Sequence, residues 1–182
     1  QWSRTRSDGT SHDHGLALQK AHGYTPVYLH YNTGLSIADN GRLLSEQLDA
    51  LVEAWPVEVE DLSILAHSMG GLVCRSYLAR HGSSRVERLI TIASPHSGSE
   101  LARIGIGQNA REMEPGSRWL KELATSAIPV RAIAIRTPHD NYVMPQDNQR
   151  LPGALDVELD GIGHLALLFS RRTVREVLAA CR

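Results

Sequence analysis

The chain has 182 residues, 42% of them hydrophobic, and 19 Lys and Arg against 20 Asp and Glu give a formal net charge of -1. That length holds one domain and is short for two, and the apolar content excludes a disordered chain. A near-zero charge offers no bulk attraction to nucleic acid, and no apolar run approaches the roughly 20 residues of a membrane span.

In chain order, Gln1–Gly15 is polar, without a Met start or a signal-peptide core. It reads as a surface loop or as the start of a processed or trimmed chain, so that residues 1–20 lead into a single domain spanning 1–182. Thr25–His30 is a short β-rich run. Asn32-Thr33-Gly34 supplies a turn before Ile37–Ala54, where Ile37, Leu44, Leu48, Leu51 and Val52 fall on one helix face and Trp55-Pro56 stops the pattern. Leu62–Ala66 predicts a strand, Gly70–Arg80 a helix closed by Gly82, and Arg88–Ala93 another strand. Between Ser97 and Ala127 the pattern loosens into glycines and short helical pieces. Val130–Ile135 and Leu155–Leu159 predict two further strands, and a last helix runs from about Leu165 to Ala180. About five mostly apolar strands alternating with helices predict an α/β fold, a mostly parallel sheet covered on both faces, with its chemistry just beyond the strand ends.

Directly after the second strand stands Ala66-His67-Ser68-Met69-Gly70-Gly71, the G-x-S-x-G pattern with Ala in its first place. A serine on a tight strand-to-helix turn points its hydroxyl away from the sheet. Its strained backbone requires small neighbours, here Ala66 and Gly70. The helix start behind it adds N–H groups for a forming oxyanion, the Met69 N–H first.

AHSMGG after LSIL and before LVCRSYLA resembles the nucleophile elbow of α/β-hydrolase lipases and esterases. GYTPVYLHYNTG, ITIASPHSGSELA and HDNYVMP with GIGHLALL are similar to bacterial members, so the likeness covers about residues 21 to 180. It implies an α/β-hydrolase fold and a Ser-acid-His order. His164, in the glycine-flanked loop Gly161-Ile162-Gly163-His164, takes the position of the base, and Asp140, after the fourth strand, that of the acid. Asp147 and Asp160 compete for the acid role, and Asp160 stands close to His164 in the chain. His96 lines the site or holds its loop, and His67 packs or bonds near the elbow. His12, His14, His22, His30 and His81 have no arrangement that prefers them, and the His12-x-His14 pair lacks a third metal ligand.

The resemblance also implies a second oxyanion donor, from a loop that typically opens with His-Gly after a strand lying between those matching Thr25–His30 and Leu62–Ala66. The sequence departs from that pattern: His14-Gly15 and His22-Gly23 stand in the wrong context. A trimmed chain, a Thr25–His30 strand sliding into the vacant place with Tyr31 and Asn32 backbone as donors, or an inactive remnant each account for it. Leu101, Ile104, Ile106, Met113, Trp119 and Leu120 either wall an acyl pocket or cover the core, while Leu165 and Leu167 beside His164 add apolar wall. His67, Tyr31 and Leu165 are the expected substrate contacts.

The function expected is ester hydrolysis on a small ester or lipid by Ser68, Asp140 and His164. Acyl transfer or thioester cleavage by the same groups, and a non-catalytic scaffold, are the alternatives. No cofactor or metal is implied: Gly105-x-Gly107 lacks the strand-turn-helix setting of a dinucleotide loop. Neither a nucleic-acid partner nor a transmembrane segment is expected, and compartment and oligomeric state are not legible. Cys74 and Cys181, far apart, read as packing residues.

Overall fold

The computed structural model describes residues 2–5, 11–82 and 86–182. Four parallel strands form the sheet: β3 (Leu62–His67), β4 (Val86–Ile92), β5 (Arg131–Arg136) and β6 (Leu155–Glu158), in that order across it. Ahead of them lie a short antiparallel hairpin, β1 (Ser3–Thr5) with β2 (Ser11–Asp13), and two helices, α1 (His14–His22) and α2 (Ile37–Glu53). α3 (Met69–His81) crosses from β3 to β4; α4 (Gln108–Glu112) and α5 (Arg118–Ala124) fill the β4–β5 connection. α6 (His164–Leu167) and α7 (Arg171–Ala180) end the chain.

The period-two alternation of the strands sorts their side chains into two cores. Leu62, Ile64 and Ala66 of β3 and Leu89 of β4 pack with α2, α3 and α5. Leu65 of β3, Ile90 and Ile92 of β4, and Ile133 and Ile135 of β5 pack on the opposite face, against Leu18 of α1, Leu167 of α6 and Val177 and Ala180 of α7. α2 and α3 cross closely at Gly41, where a Cβ would stand 2.9 Å from Ser76 Cβ and 3.1 Å from the Tyr77 nitrogen. Cys74 and Cys181 are both buried and unpaired in disulfides, and burial pushes the Cys74 thiol up to about 12.

Several sequence expectations need correction. Thr25–His30 forms no strand, so the sheet has four strands rather than five. Side chains hold that run instead of a ladder. The Tyr28 hydroxyl donates to Asp13, and Pro26, which has no N–H to give, packs so closely on α1 that a Cβ at Gly15 would lie 2.6 Å from its own Cβ. β3 therefore stands at one end of the sheet with β4 as its paired neighbour, and its first four residues are only half-buried. A slide of Thr25–His30 into a strand place beside β3 is thus not what the structure contains.

The polar start is not all loop either: Ser11–Asp13 pairs with Ser3–Thr5, and Asp13 caps α1 by accepting from the Leu16 N–H. Residues 1 and 6–10 of the expected loop lie outside the described residues. The single last helix is two. The Leu168 carbonyl, which would accept the Arg172 N–H in a continuous helix, instead bonds His12 Nε2 at 2.7 Å and His14 Nε2 at 2.9 Å. The Arg172 N–H turns to Ser170 Oγ, the cap that starts α7.

Candidate active site

Ser68 sits between β3 and α3 with φ 55 and ψ -130, one of two non-glycine residues with positive φ among those described. Its N–H donates to the Ile92 carbonyl at 2.9 Å, extending the β3–β4 ladder, while its own carbonyl accepts the Gly71 N–H and opens α3. Held between ladder and helix, the residue keeps a conformation that costs about 1–3 kcal/mol. Ser36, Ser99, Ser117 and Ser170 spend their hydroxyls capping the helices that follow them, whereas Ser68 makes no capping bond. Space behind the turn is tight: a Cβ at Gly71 would lie 2.7 Å from Ser94 Cβ.

His164 opens α6 just past β6, and its Nδ1 lies 2.7 Å from Asp140 Oδ2, both side chains being almost wholly buried. Asp140 follows β5. Its Oδ1 accepts the N–H groups of Tyr142 (2.7 Å) and Val143 (2.8 Å), an Asx turn that locks the carboxylate. Burial alone would raise its pKa, but the His164 bond and those N–H groups outweigh it and hold it below the usual carboxylate value. An ionised carboxylate only accepts, so Nδ1 carries a proton toward it, and in the neutral form of the imidazole Nε2 holds the lone pair.

Two rings pack against the imidazole. His67, immediately before Ser68, brings its ring centroid to 4.8 Å, with Nε2 3.4 Å from the His164 carbonyl. Burial and the neighbouring His164 push His67 down to about 4, so it stays neutral at neutral pH. Tyr142 approaches to 4.9 Å with its ring tilted 36°, and is 51% exposed.

The loops that carry acid and base are tied together. Thr137 Oγ1 donates to the Ile162 carbonyl at 2.6 Å and accepts the His139 N–H, and His139 Nε2 lies 2.6 Å from Asp160 Oδ1. Of the competing acids, Asp160 is engaged with His139 and Asp147 with Arg150. His96 does not line the site: it is buried, its Nε2 3.0 Å from Thr91 Oγ1 and its carbonyl accepting Arg75 Nη1, and burial takes it down to about 3.

Tyr31 packs partly buried against the α2–α3 core, and its hydroxyl lies 3.7 Å from where a Cβ would stand on Gly70. The apolar wall is smaller than expected. Leu167 and Leu120 are core, and Met113 and Trp119 pack against it; Leu101, Ile104, Ile106 and Leu165 are exposed, Ile106 almost completely.

Two residues near the site were not singled out in the sequence, Tyr142 and Thr137. The Asp140-Asn141-Tyr142 turn is the signal for the first, since an Asx turn brings the residue two places on back over its carboxylate. Among the described residues no three His, Cys, Asp or Glu side chains gather as a metal site, and no helix is long and apolar enough to cross a membrane.

The fold is that of α/β-hydrolases. A Bacillus licheniformis lipase, BlEst2 in mature form, superposes with a TM-score of 0.77 at 17% identity, over 92% of this chain and 84% of that one. A metagenomic carboxyl esterase, MGS0156, gives 0.74 at 16% identity over 93% and 68%. The product of lin2722 from Listeria innocua gives 0.59 at 16% identity over 81% and 67%. No curated protein sequence matches significantly. The sequence profile of the PGAP1-like alpha/beta domain matches residues 8–156, and the chain belongs to that family.

Proposed function

We propose that the chain is a serine hydrolase of carboxylic esters, with Ser68 as nucleophile, His164 as general base and acid, and Asp140 as the group that orients His164. The observation that carries this reading is the buried 2.7 Å bond between His164 Nδ1 and Asp140 Oδ2, with the ring beside the residue that precedes Ser68. It leaves Nε2 able to accept a proton, and Ser68 holds an uncapped hydroxyl on a strained turn. The lipase and esterase named among the structural neighbours favour the same class of reaction.

Ser68 Oγ attacks the ester carbonyl as its proton passes to His164 Nε2, and the carbonyl oxygen becomes an oxyanion. His164 then gives that proton to the departing alkoxide as the C–O bond breaks, leaving an acyl-serine and a free alcohol. Water repeats the sequence and releases the acid. Charge on the oxyanion needs donors. The Met69 N–H, in the first turn of α3, has no intrahelical acceptor and supplies one. We assign the second to the Tyr31 hydroxyl rather than to Tyr31 or Asn32 backbone: burial, with Cys74 nearby, raises its pKa, so it stays a donor close to the start of α3.

Treatment with a fluorophosphonate, followed by peptide mapping, tests the reading. Covalent label on Ser68, and loss of p-nitrophenyl ester turnover in a folded Ser68→Ala variant, are the expected results. Undiminished turnover in that variant rejects the assignment.

A further inference from the structure

The Tyr142 side chain takes no part in the chemistry above, yet it is held beside the base more firmly than a surface residue requires. Its N–H is fixed on Asp140 Oδ1 at 2.7 Å, and its carbonyl accepts Ser99 Oγ at 2.7 Å. Ser99 Oγ also receives the Met144 N–H, and the Met144 carbonyl accepts the Glu100 N–H, so the turn is stitched to the segment after β4. With its backbone locked on both sides, the ring lies 4.9 Å from His164, and the residue stays about half exposed.

The reaction says what passes over that open face. His164 must hand its proton to the leaving oxygen, so that oxygen lies within hydrogen-bond reach of Nε2 when the C–O bond breaks. Whatever the alcohol carries extends from there. His67 packs against the imidazole and directly precedes Ser68, to which the acyl carbon is bound. Tyr142 also packs against the imidazole, and Leu165, directly after His164, and Met144, two residues past Tyr142, are exposed apolar side chains on the same two loops.

We infer that Tyr142 is the residue that selects the leaving alcohol, favouring alcohols that present an apolar or aromatic ring to its open face. This rests on the serine-hydrolase reading. Ring-on-ring contact of this kind strengthens binding by about 0.5–1.5 kcal/mol beyond burial, which sets the size of the effect at up to about tenfold.

The order of bond breaking supplies the test. The alcohol has left before water attacks the acyl-enzyme, so a residue that touches only the alcohol affects acylation and not deacylation. A residue that merely props up His164 affects both. Stopped-flow traces on the full chain, using aryl and alkyl acetates of similar leaving-group acidity, yield the two rate constants for one shared acetyl-enzyme. For Tyr142→Ala, acylation by the aryl acetate falls about tenfold and by the alkyl acetate less than about threefold, with deacylation unchanged. Tyr142→Phe keeps the wild-type pattern, and Tyr142→Leu serves in place of the alanine variant should that one not fold.

Equal loss on both esters, or a matching loss in deacylation, overturns the inference while leaving the hydrolase reading standing. Absence of fluorophosphonate label on wild-type Ser68 brings down that reading, and this inference with it.

Discussion

His164 Nδ1 and Asp140 Oδ2 lie 2.7 Å apart in a pocket that water scarcely reaches, and the other carboxylate oxygen is already committed to the Tyr142 and Val143 N–H groups. The acid can therefore neither rotate away nor accept a second partner in place of the imidazole. Asp140→Asn keeps an oxygen for those backbone groups but can present an NH2 to Nδ1, which flips the imidazole to the tautomer with no lone pair on Nε2. We expect kcat to fall by about 10³–10⁴ with the melting temperature little changed. Steady-state kinetics on p-nitrophenyl acetate check this, and a loss smaller than about tenfold contradicts the orienting role.

Tyr31→Phe removes one hydroxyl beside Gly70 and leaves the ring's packing against the core intact. Loss of one oxyanion donor costs about 10²–10³ in kcat, with KM little affected. Affinity for an alkylboronic acid, which places a tetrahedral anion on Ser68, should weaken in parallel. Wild-type kcat in this variant would remove the hydroxyl from the oxyanion site.

Thr137 Oγ1 bridges the acid loop to the base loop by accepting from the His139 N–H and donating to the Ile162 carbonyl. Thr137→Val has the same shape without either bond and leaves both backbone groups short of a partner. We expect a stability loss of about 1–3 kcal/mol in urea denaturation and a slower turnover, both restored by Thr137→Ser. His139→Ala breaks only an exposed pair with Asp160 and should leave turnover within about twofold.

Acid should destabilise the fold well above the carboxylate range. His14 and His67 are pushed down to about 4 and His96 to about 3, each chiefly by burial. For His14, His12 adds a downward push, while the Leu168 carbonyl and Asp13 act upward. An unfolded histidine takes up its proton near 6.5, so below that pH the unfolded chain binds more protons and stability falls. The contribution is complete above about 6.5 and is lost progressively as pH drops toward 4. Asp140, also depressed, adds a loss only as pH falls below about 4. Urea midpoints measured from pH 8 to pH 4.5 should decline below 6.5, and His96→Gln should flatten the slope. A midpoint independent of pH across that interval contradicts the burial argument.

Ile104 and Ile106 are 83% and 99% exposed on the segment that Ser99 and Glu100 tie to the Tyr142–Met144 turn. Exposed apolar side chains gain contact when an apolar ligand covers them. Ile104→Ser with Ile106→Ser should raise KM for a long-chain p-nitrophenyl ester several-fold, at about 0.8 kcal/mol per CH₂ left uncovered, and leave the acetate unchanged. Comparing the two substrates on the double variant decides it.

The sequence by itself determined the parts that are local. The elbow Ala66–Gly71 between an apolar strand and a helix, the face of the Ile37–Ala54 helix and the alternating core residues of the strands follow from neighbours a few residues apart, so they are legible in one dimension. The sequence points to His164 and Asp140 as base and acid only through the likeness to α/β-hydrolases. Only the tertiary structure decided what depends on distant partners. Thr25–His30 has the composition of a strand, but a strand exists only where a neighbour accepts its ladder, and here Tyr28 and Pro26 are held by Asp13 and Gly15 instead. The last helix breaks because two imidazoles from more than 150 residues away take the Leu168 carbonyl. Tyr142 comes to rest on His164 because β5 and β6 are neighbours in the sheet. Hydrogen-bond competition and strand pairing act between segments that are far apart along the chain, and folding alone brings them together.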